Sequence, residues 1–216
     1  MSTDIKRADD AHRDAPSQRT THERTFVGRG GLKLDHALHA LAIDVRGLVC
    51  ADFGCNVGGF TDCLLQRGAA KILAVDTGYA MLAWKLRQDS RVVVMERTNA
   101  LHAPSPDGGV EFIAMDMGWT PQRHAVPAAL RWLRPGGMIV TLIKPHYEAT
   151  DGESRAMQRG VLDEGAAAQI VERVCAAMPE LGAEVIGVVR SPIAGGGGKK
   201  SRGGNAEWLA ALRPLR

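Results

Sequence analysis

The stretch from Val49 to Asp76 constrains the fold of this chain more than any other. It reads VCADFGCNVGGFTDCLLQRGAAKILAVD. A short apolar run ends at Asp52, a glycine-containing loop follows, an apolar-periodic segment ends at Gly68, and a second apolar run ends at Asp76. This order predicts a strand, a turn, a helix and a second strand, which together make a βαβ unit.

The loop of this unit predicts a site for a nucleoside-containing cofactor. Gly54, Gly58 and Gly59 allow a sharp turn and a close approach of the backbone to a ligand, and Asp76 can accept both hydroxyls of a ribose. A dinucleotide site has the spacing G-x-G-x-x-G, whose middle glycine is absent here. The spacing therefore favours S-adenosylmethionine over a dinucleotide, and a tight turn that binds nothing remains the alternative.

Length and composition are those of one soluble α/β domain with a tail, since 216 residues with 45% apolar and 24% charged side chains can bury a full core. No apolar run approaches the ~20 residues of a membrane span, and the polar start MSTDIKRADD is unlike a signal peptide. We therefore expect a cytoplasmic protein without a membrane partner. Cysteines and histidines lack C-x-x-C and H-E-x-x-H spacings, which predicts no metal site.

The rest of the chain predicts alternating helices and strands. Residues 1–24 are polar and aperiodic, so we expect a disordered leader followed by one domain over 25–216. The predicted elements are a helix after the glycine-rich segment 28–31, helices over 79–88, 121–133 and 161–178, strands over 91–95, 110–115, 138–143, 184–189 and 206–212, an irregular segment 147–159, and a mobile basic loop 194–204. This pattern is typical of a doubly wound, seven-stranded, mostly parallel sheet with its ligand at the strand ends.

Charged residues are predicted to lie along one rim of that sheet. Each of five predicted strands ends in one: Asp52, Asp76, Glu96, Asp116 and Lys144. If the fourth and fifth strands are neighbours, their last side chains project into the same cleft. Lys33, before the first strand, and Glu207, at the start of the last one, are candidates to reach it.

A Lys-Asp-Lys-Glu group is suited to moving a methyl group onto a hydroxyl. An alcohol is a poor nucleophile at neutral pH, so a positioned base must take its proton during in-line attack on a sulfonium methyl. Lys144 is the candidate base, and Lys33 is the cation that would lower the pKa of Lys144 or steady the developing oxyanion. A purely structural ion pair between Lys144 and Asp116 is the alternative.

Other residues are candidate contacts to RNA. Trp119 follows the fourth strand in a loop, where it could stack on an unpaired base or pack against the next helix. Lys199, Lys200 and Arg202 lie in the glycine-rich loop near the C-terminus and could meet phosphate, although a solvated basic tail fits them as well. Arg29 lies in the glycine-rich segment and is a further candidate substrate contact.

The chain resembles the TlyA (hemolysin A) family of FtsJ-like ribosomal RNA ribose 2′-O-methyltransferases over about residues 25–213. The similarity is specific, because the segments 83–88 (AWKLRQ) and 96–99 (ERTN) are peculiar to that family. The motifs that carry it are GRGGLKL (28–34), DFGCNVGGFTDCLLQRGA (52–69), AVDTGYAMLAWKLRQDSRVVVMERTN (74–99), LIKPHYE (142–148) and NAEWLA (205–210).

This resemblance implies a set of functional residues and an RNA partner, ribosomal RNA or a ribosomal subunit. It places the catalytic group on Lys33, Asp116, Lys144 and Glu207. It places contacts to S-adenosylmethionine on the loop after the first strand, the end of the second and the corner after the third: Gly54, Asn56, Gly58, Gly59, Phe60, Asp76, Thr98, Asn99 and Asp116.

The chain departs from the family pattern in two places. The family usually begins with a small S4 RNA-binding domain, and residues 1–24 are too few to hold one. The family usually reads Val-Ser-Phe-Ile-Ser after the catalytic Asp, where this chain has Met117-Gly118-Trp119-Thr120-Pro121. An aromatic residue is kept at Trp119, but its changed neighbours leave the target nucleotide open.

Two other functions stay open at this point. One is a methyltransferase that acts on a small molecule. The other is a non-catalytic RNA-binding or hemolysin-like protein, which the sequence favours less because no membrane-active segment is evident.

Overall fold

The computed structural model describes residues 25–155, 157, 160–195 and 204–215. The predicted leader over 1–24 and the basic side chains Lys199, Lys200 and Arg202 lie outside the described residues. Within the described part of the chain, no helix is long and apolar enough to cross a bilayer.

Helices and strands alternate along the chain as the sequence predicts. The helices are α1 (Gly30–Ala40), α2 (Gly59–Gln66), α3 (Trp84–Arg87), α4 (Gln122–Leu130), α5 (Pro145–Glu148), α6 (Asp151–Arg155) and α7 (Glu164–Ala176), with a 3₁₀ turn at Met178–Leu181. The strands are β1 (Val49–Phe53), β2 (Lys71–Val75), β3 (Val92–Met95), β4 (Val110–Met115), β5 (Leu133–Ile143), β6 (Ala183–Arg190) and β7 (Trp208–Pro214).

The strands of the described chain form one seven-stranded sheet in the order β3-β2-β1-β4-β5-β7-β6. Neighbouring strands are parallel from β3 to β5, while β7 runs antiparallel to both β5 and β6. The order reverses between β1 and β4, which is where an open α/β sheet forms a ligand crevice. The predicted doubly wound, mostly parallel sheet is confirmed.

Each face of the sheet carries its own buried core. On one face, Leu34 and Leu38 of α1 pack with Leu64 of α2 against the central strands. On the other face, α4 and α7 cover a cluster in which the rings of Phe53 and Trp132 meet edge to face, 4.9 Å between centroids. The buried strands are apolar on both sides because both sides are covered.

The predicted helix over 79–88 is wrong in its first half, since α3 comprises only its last turn. Ala80 has a φ of 57°, which no helix accommodates, and the Arg97 amide donates to the Gly78 carbonyl at 3.0 Å. The segment therefore wraps around the end of β3. Leu82 and Leu86 are nevertheless both buried, so the apolar spacing correctly marked the inward side chains.

The helix predicted over 121–133 ends three residues early, and the strand predicted from residue 138 begins at Leu133. Leu133 pairs with Val110, and the register with β4 then shifts before Phe112. Gly136, with a φ of 81°, lies in this irregularity. The Pro-Gly-Gly sequence therefore makes a bulge inside a long strand instead of a turn before a short one.

Several other element boundaries differ from the predictions. The segment 147–159, expected to be irregular, contains the end of α5 and all of α6. Helix α7 begins three residues later than predicted, because the Asp163 carboxylate accepts a hydrogen bond from the Ala166 amide at 3.0 Å and caps it there. Strand β7 lies two residues further along than expected.

Candidate active site

Two of the five charged residues assigned to the rim are taken up by other contacts, and one of them, Asp52, is buried. Asp52 lies inside β1 and is fully buried, with its Oδ2 accepting a hydrogen bond from the Thr61 hydroxyl at 2.6 Å. Burial raises the pKa of Asp52 to about 7, and the nearby charges of Asp116 and Asp76 act in the same direction. Glu96 forms an ion pair with Arg87. The predicted place of Asp52 at the rim is wrong, whereas Glu96 directly follows β3 as predicted and is paired there.

Asp76 is held in place by the backbone of two loops. Its carboxylate accepts hydrogen bonds from the amides of Asn56, at 2.8 Å, and Gly78, at 2.7 Å. It lines a cavity of about 130 Å³ together with Thr98, Asn99 and the loop after β4. Asn99 shapes this corner by accepting a hydrogen bond from the Leu101 amide at 3.0 Å. The end of β2 thus presents a fixed carboxylate acceptor at this cavity.

A second cavity, of about 210 Å³, lies on the other side of Gly54. It is lined by the loop after β1 and by the start of α1, including Arg29, Asn56, Phe60 and Asp116. The two cavities share Gly54, where the φ is 82° and a Cβ would lie 2.6 Å from the Asp116 carbonyl oxygen. Only glycine therefore fits at position 54, where the two cavities meet.

The starts of α1 and α2 pack directly against each other. A Cβ on Gly59 would lie 2.9 Å from the Gly31 nitrogen and 3.2 Å from the Gly28 carbonyl oxygen. Gly58 adopts a φ of 98°, and a Cβ there would meet the side chains of α3. The glycines of the two segments therefore bring both helix N-termini to the same cleft, where their amides favour negative charge.

Asp116 and Lys144 meet at the ends of two adjacent strands. Asp116 follows β4 and Lys144 follows β5, and these strands are paired and parallel. Their side chains form an ion pair of 2.6 Å, in which both are mostly but not fully shielded from solvent. The Met117 carbonyl also accepts from the Lys144 amine, at 3.5 Å.

Lys33 and Glu207 form a second, buried ion pair beside the first. The Lys33 amine lies 2.5 Å from Glu207 Oε2, and both residues are more than nine-tenths buried. Glu207 comes just before β7, whose Trp208 pairs with Ile143, so Glu207 lies next to Lys144 across the sheet. The start of α1 borders the same place, since a Cβ on Gly30 would lie 3.9 Å from Asp116 Oδ2. The structure brings all four predicted catalytic residues together.

An exposed aromatic pair lies at the edge of this group. Trp119 is 83% exposed and its ring centroid is 4.8 Å from that of Tyr147. The Tyr147 ring is in turn 5.8 Å from the Lys144 amine, and its backbone amide donates to the Lys144 carbonyl at 2.8 Å. Sequence reasoning missed Tyr147, although its place three residues after Lys144 in a short motif was a signal.

The remaining predicted residues lie around the cleft. Arg29 is at the entrance of the second cavity, where its guanidinium donates to the Ala194 carbonyl at 3.0 Å. The Thr98 amide donates to the Asp76 carbonyl at 2.9 Å. In the described part of the chain, no three His, Cys, Asp or Glu side chains come close enough together to hold a metal ion.

Residues 26–201 match the sequence model of the FtsJ-like methyltransferases, and the chain belongs to this family. It is a methyltransferase, and its family implies S-adenosylmethionine as the methyl donor. Two named relatives are similar to most of this chain. The 16S/23S rRNA (cytidine-2′-O)-methyltransferase TlyA of Mycobacterium tuberculosis strain H37Rv is 40% identical over 197 residues, 90% of this chain and 70% of that protein. Hemolysin A of Brachyspira hyodysenteriae is 33% identical over 189 residues, 86% of this chain and 75% of that protein.

Solved structures agree with the fold. A hemolysin-named protein from Streptococcus thermophilus superposes with a TM-score of 0.81 and 36% identity, covering 91% of this chain and 70% of that one. A ribosomal protein L11 methylase from Lactobacillus delbrueckii superposes at a TM-score of 0.57 and 15% identity, covering 94% and 92% of the two chains. The second likeness concerns the fold alone.

The residues around Gly54 suit the cofactor of this family. Asp76 offers carboxylate oxygens for ribose hydroxyls, and its cavity adjoins a second cavity that the glycines keep clear of side chains. The shared Gly54 lets an elongated ligand lie across both.

Proposed function

We propose that this protein transfers a methyl group from S-adenosylmethionine to a ribose 2′-hydroxyl of ribosomal RNA. The observation that carries the proposal is the pair of ion pairs, Lys144–Asp116 and Lys33–Glu207, next to the glycine-lined crevice. The names of the TlyA relatives support the choice of ribosomal RNA and of the 2′-hydroxyl.

The cofactor site comprises the two cavities on either side of Gly54. When bound, S-adenosylmethionine supplies an electrophilic methyl group on a positively charged sulfur. Asp76 accepts the ribose hydroxyls of the cofactor, with Thr98 and Asn99 at the corner beside it. Arg29 and the N-termini of α1 and α2, which border the second cavity, would hold the methionyl end.

Lys144 acts as the general base toward the substrate hydroxyl. Its amine takes the 2′-hydroxyl proton as the oxygen attacks, and it must therefore be neutral at that moment. Asp116 and the Met117 carbonyl hold the amine at the end of β5. Lys144 thereby faces the crevice from a rigid strand end, which is the positioning that in-line transfer requires.

Lys33 and Glu207 orient the acceptor ribose. Both are buried, so their pair is weakly screened by solvent and keeps a fixed geometry. The Lys33 amine can donate to the reacting oxygen while Glu207 holds that amine in place. Removing either partner would leave a buried charge unpaired, which is strongly unfavourable.

Trp119 and Tyr147 form a platform for the base of the target nucleotide. Stacking of a base on an aromatic ring contributes ~1–3 kcal/mol and requires an unpaired, turned-out base. The exposed face of Trp119 lies next to the catalytic group through Tyr147. The same nucleotide can therefore stack there while its ribose lies at Lys144.

Label transfer to ribosomes tests the proposal. The protein is incubated with methyl-labelled S-adenosylmethionine and with 30S or 50S subunits from cells that lack the corresponding modification. We expect label in RNA at one or a few 2′-hydroxyls, located by resistance to alkaline cleavage. Wild-type protein that binds the cofactor but labels no RNA in either subunit would overturn the proposal.

A further inference from the structure

A third cavity lies on the side of Glu207 away from the cofactor crevice. It has a volume of about 450 Å³, within the range of small-ligand sites. We name it the β6–β7 cavity, because residues 190–194 at the end of β6 and residues 206–207 just before β7 line it. Its wall includes His36, Arg190, Ser191, Pro192, Ile193 and Glu207.

Backbone hydrogen bonds to the residues just before β7 hold part of the wall of this cavity. The Ser191 amide donates to the Glu207 carbonyl at 2.8 Å, and the Ser191 hydroxyl donates to the Ile193 carbonyl at 2.7 Å. The Gly195 amide donates to the Asn205 carbonyl at 2.9 Å. These bonds fix the backbone on both sides of Glu207. The described wall of the cavity is therefore held by the same segment that positions Glu207.

The mouth of the cavity carries cationic and titratable side chains. His36 is exposed on α1, three residues after Lys33. Arg190 lies 2.6 Å from the Glu164 carboxylate, but both partners are more than half exposed. Because such surface ion pairs contribute little, the Arg190 guanidinium can turn to a phosphate at small cost. Arg29 borders the same edge through its bond to Ala194.

The position of the cavity matches the path of an RNA chain. Lys144, Glu207 and Arg190 stand at the ends of three successive strands, β5, β7 and β6. Adjacent strands are ~4.8 Å apart, so Glu207 lies about one strand spacing from Lys144 and Arg190 about two. A polynucleotide whose ribose meets Lys144, with the cofactor on one side, reaches this cavity within one nucleotide on the other.

We propose that the β6–β7 cavity binds the nucleotide next to the methylated ribose, with a phosphate facing Arg190 and His36. This inference rests on the proposed function, because it names how the same RNA substrate is held.

Matched variants test the proposal on the full chain. Arg190→Ser removes the guanidinium at the cavity, and Arg213→Ser removes a similarly exposed, ion-paired arginine at the opposite end of β7. We expect Arg190→Ser to raise the KM for unmodified ribosomal subunits about tenfold at unchanged kcat and cofactor Kd, and to lower the salt slope of log KM by about one. Arg213→Ser should leave all of these unchanged.

A binding measurement without turnover complements the kinetics. His36 and His39 are both exposed on α1, so His36→Ala and His39→Ala assign their imidazole NMR signals. Cytidine 5′-monophosphate should shift the His36 signal and leave His39 in place.

The outcomes separate the two proposals. An unmoved His36 signal, or a KM for Arg190→Ser equal to that of Arg213→Ser, overturns the cavity proposal while methyl transfer to RNA continues. Wild-type protein that labels no RNA overturns the proposed function, and the nucleotide titration then still reports on the cavity.

Discussion

The two halves of the cleft hold their ligands by different means. On the donor side, from β3 to β4, the site is made of backbone: Gly54 leaves room, and the amides of Asn56 and Gly78 fix Asp76. On the acceptor side, from the end of β4 to β6 with α1 beside it, the site is made of paired side chains, Lys144–Asp116 and Lys33–Glu207. The donor side is therefore sensitive to added atoms, and the acceptor side is sensitive to lost charges.

The largest effect is expected on the acceptor side, from Lys144→Ala. Removing a general base lowers rates by ~10²–10⁴-fold, so methyl transfer should fall by about three orders of magnitude while the Kd for S-adenosylmethionine changes less than about threefold. Single-turnover transfer and isothermal titration measure the two quantities. Lys85→Ala, which removes an exposed lysine paired with Asp62, is the control and should remain active. Retained turnover in Lys144→Ala would contradict the assignment.

The next effect is expected on the donor side, from Gly54→Ala. A methyl group there would lie 2.6 Å from the Asp116 carbonyl oxygen, so the crossing point between the two cavities must shift. We expect the cofactor Kd to rise by ~100-fold. Gly136→Ala has the same backbone strain, with a φ of 81°, but its Cβ meets open space. Equal cofactor affinity in both variants would contradict the statement that the donor side is sensitive to added atoms.

A smaller effect is expected from Trp119→Ala, which removes the exposed ring without touching either ion pair. The loss of ~1–3 kcal/mol of base stacking corresponds to a rise in the RNA KM of about tenfold, with thermal stability unchanged. Trp84→Ala, which removes another exposed tryptophan on the donor side, is the control. If Trp119→Ala instead lowers the Tm and leaves the KM unchanged, the ring serves packing.

The smallest effect on activity is expected from Asp52→Asn. This variant tests how the ionisation of the carboxyl group buried below the donor side changes the free energy of unfolding. The pKa of Asp52 is raised to about 7, above its ordinary value near 4, so the folded state keeps a proton that the unfolded state releases. Wild-type stability should therefore fall as the pH rises from 4 to 7, by on the order of 3 kcal/mol, and then level off. Asp52→Asn should lack this component. Urea unfolding of both proteins at pH 5 and pH 8 compares them, and identical pH dependence would contradict the assignment.

The sequence predicted the donor side better than the acceptor side. The βαβ unit and Asp76 follow from local periodicity and glycine placement within one stretch of chain. The pairing of Lys33 with Glu207 joins residues 174 positions apart. Their places in the predicted strand order and the chemistry of a Lys-Asp-Lys-Glu group made both candidates, and the family resemblance implied the same catalytic group. Long-range pairing depends on β7 entering between β5 and β6, which no local pattern specifies.

The errors of the sequence predictions have local causes. Asp52 was placed at the rim because an apolar run ends there, but the strand continues to Phe53 and turns the carboxylate under α2. The Pro-Gly-Gly bulge in β5 resembles a turn until the register with β4 is known. Tyr147 has no periodic partner in the sequence, and its place three residues after Lys144 gains meaning from its contact with Trp119.

The antiparallel strand β7 has a consequence for the order in which this enzyme becomes competent during its synthesis. Glu207 and the strand that follows it are made 174 positions after their partner Lys33. A growing polypeptide can complete its donor crevice before β7 is made, but it can assemble the acceptor half only once β7 is available to enter the sheet. Molecules released before their final strand is made are therefore expected to hold the cofactor and to leave RNA unmodified.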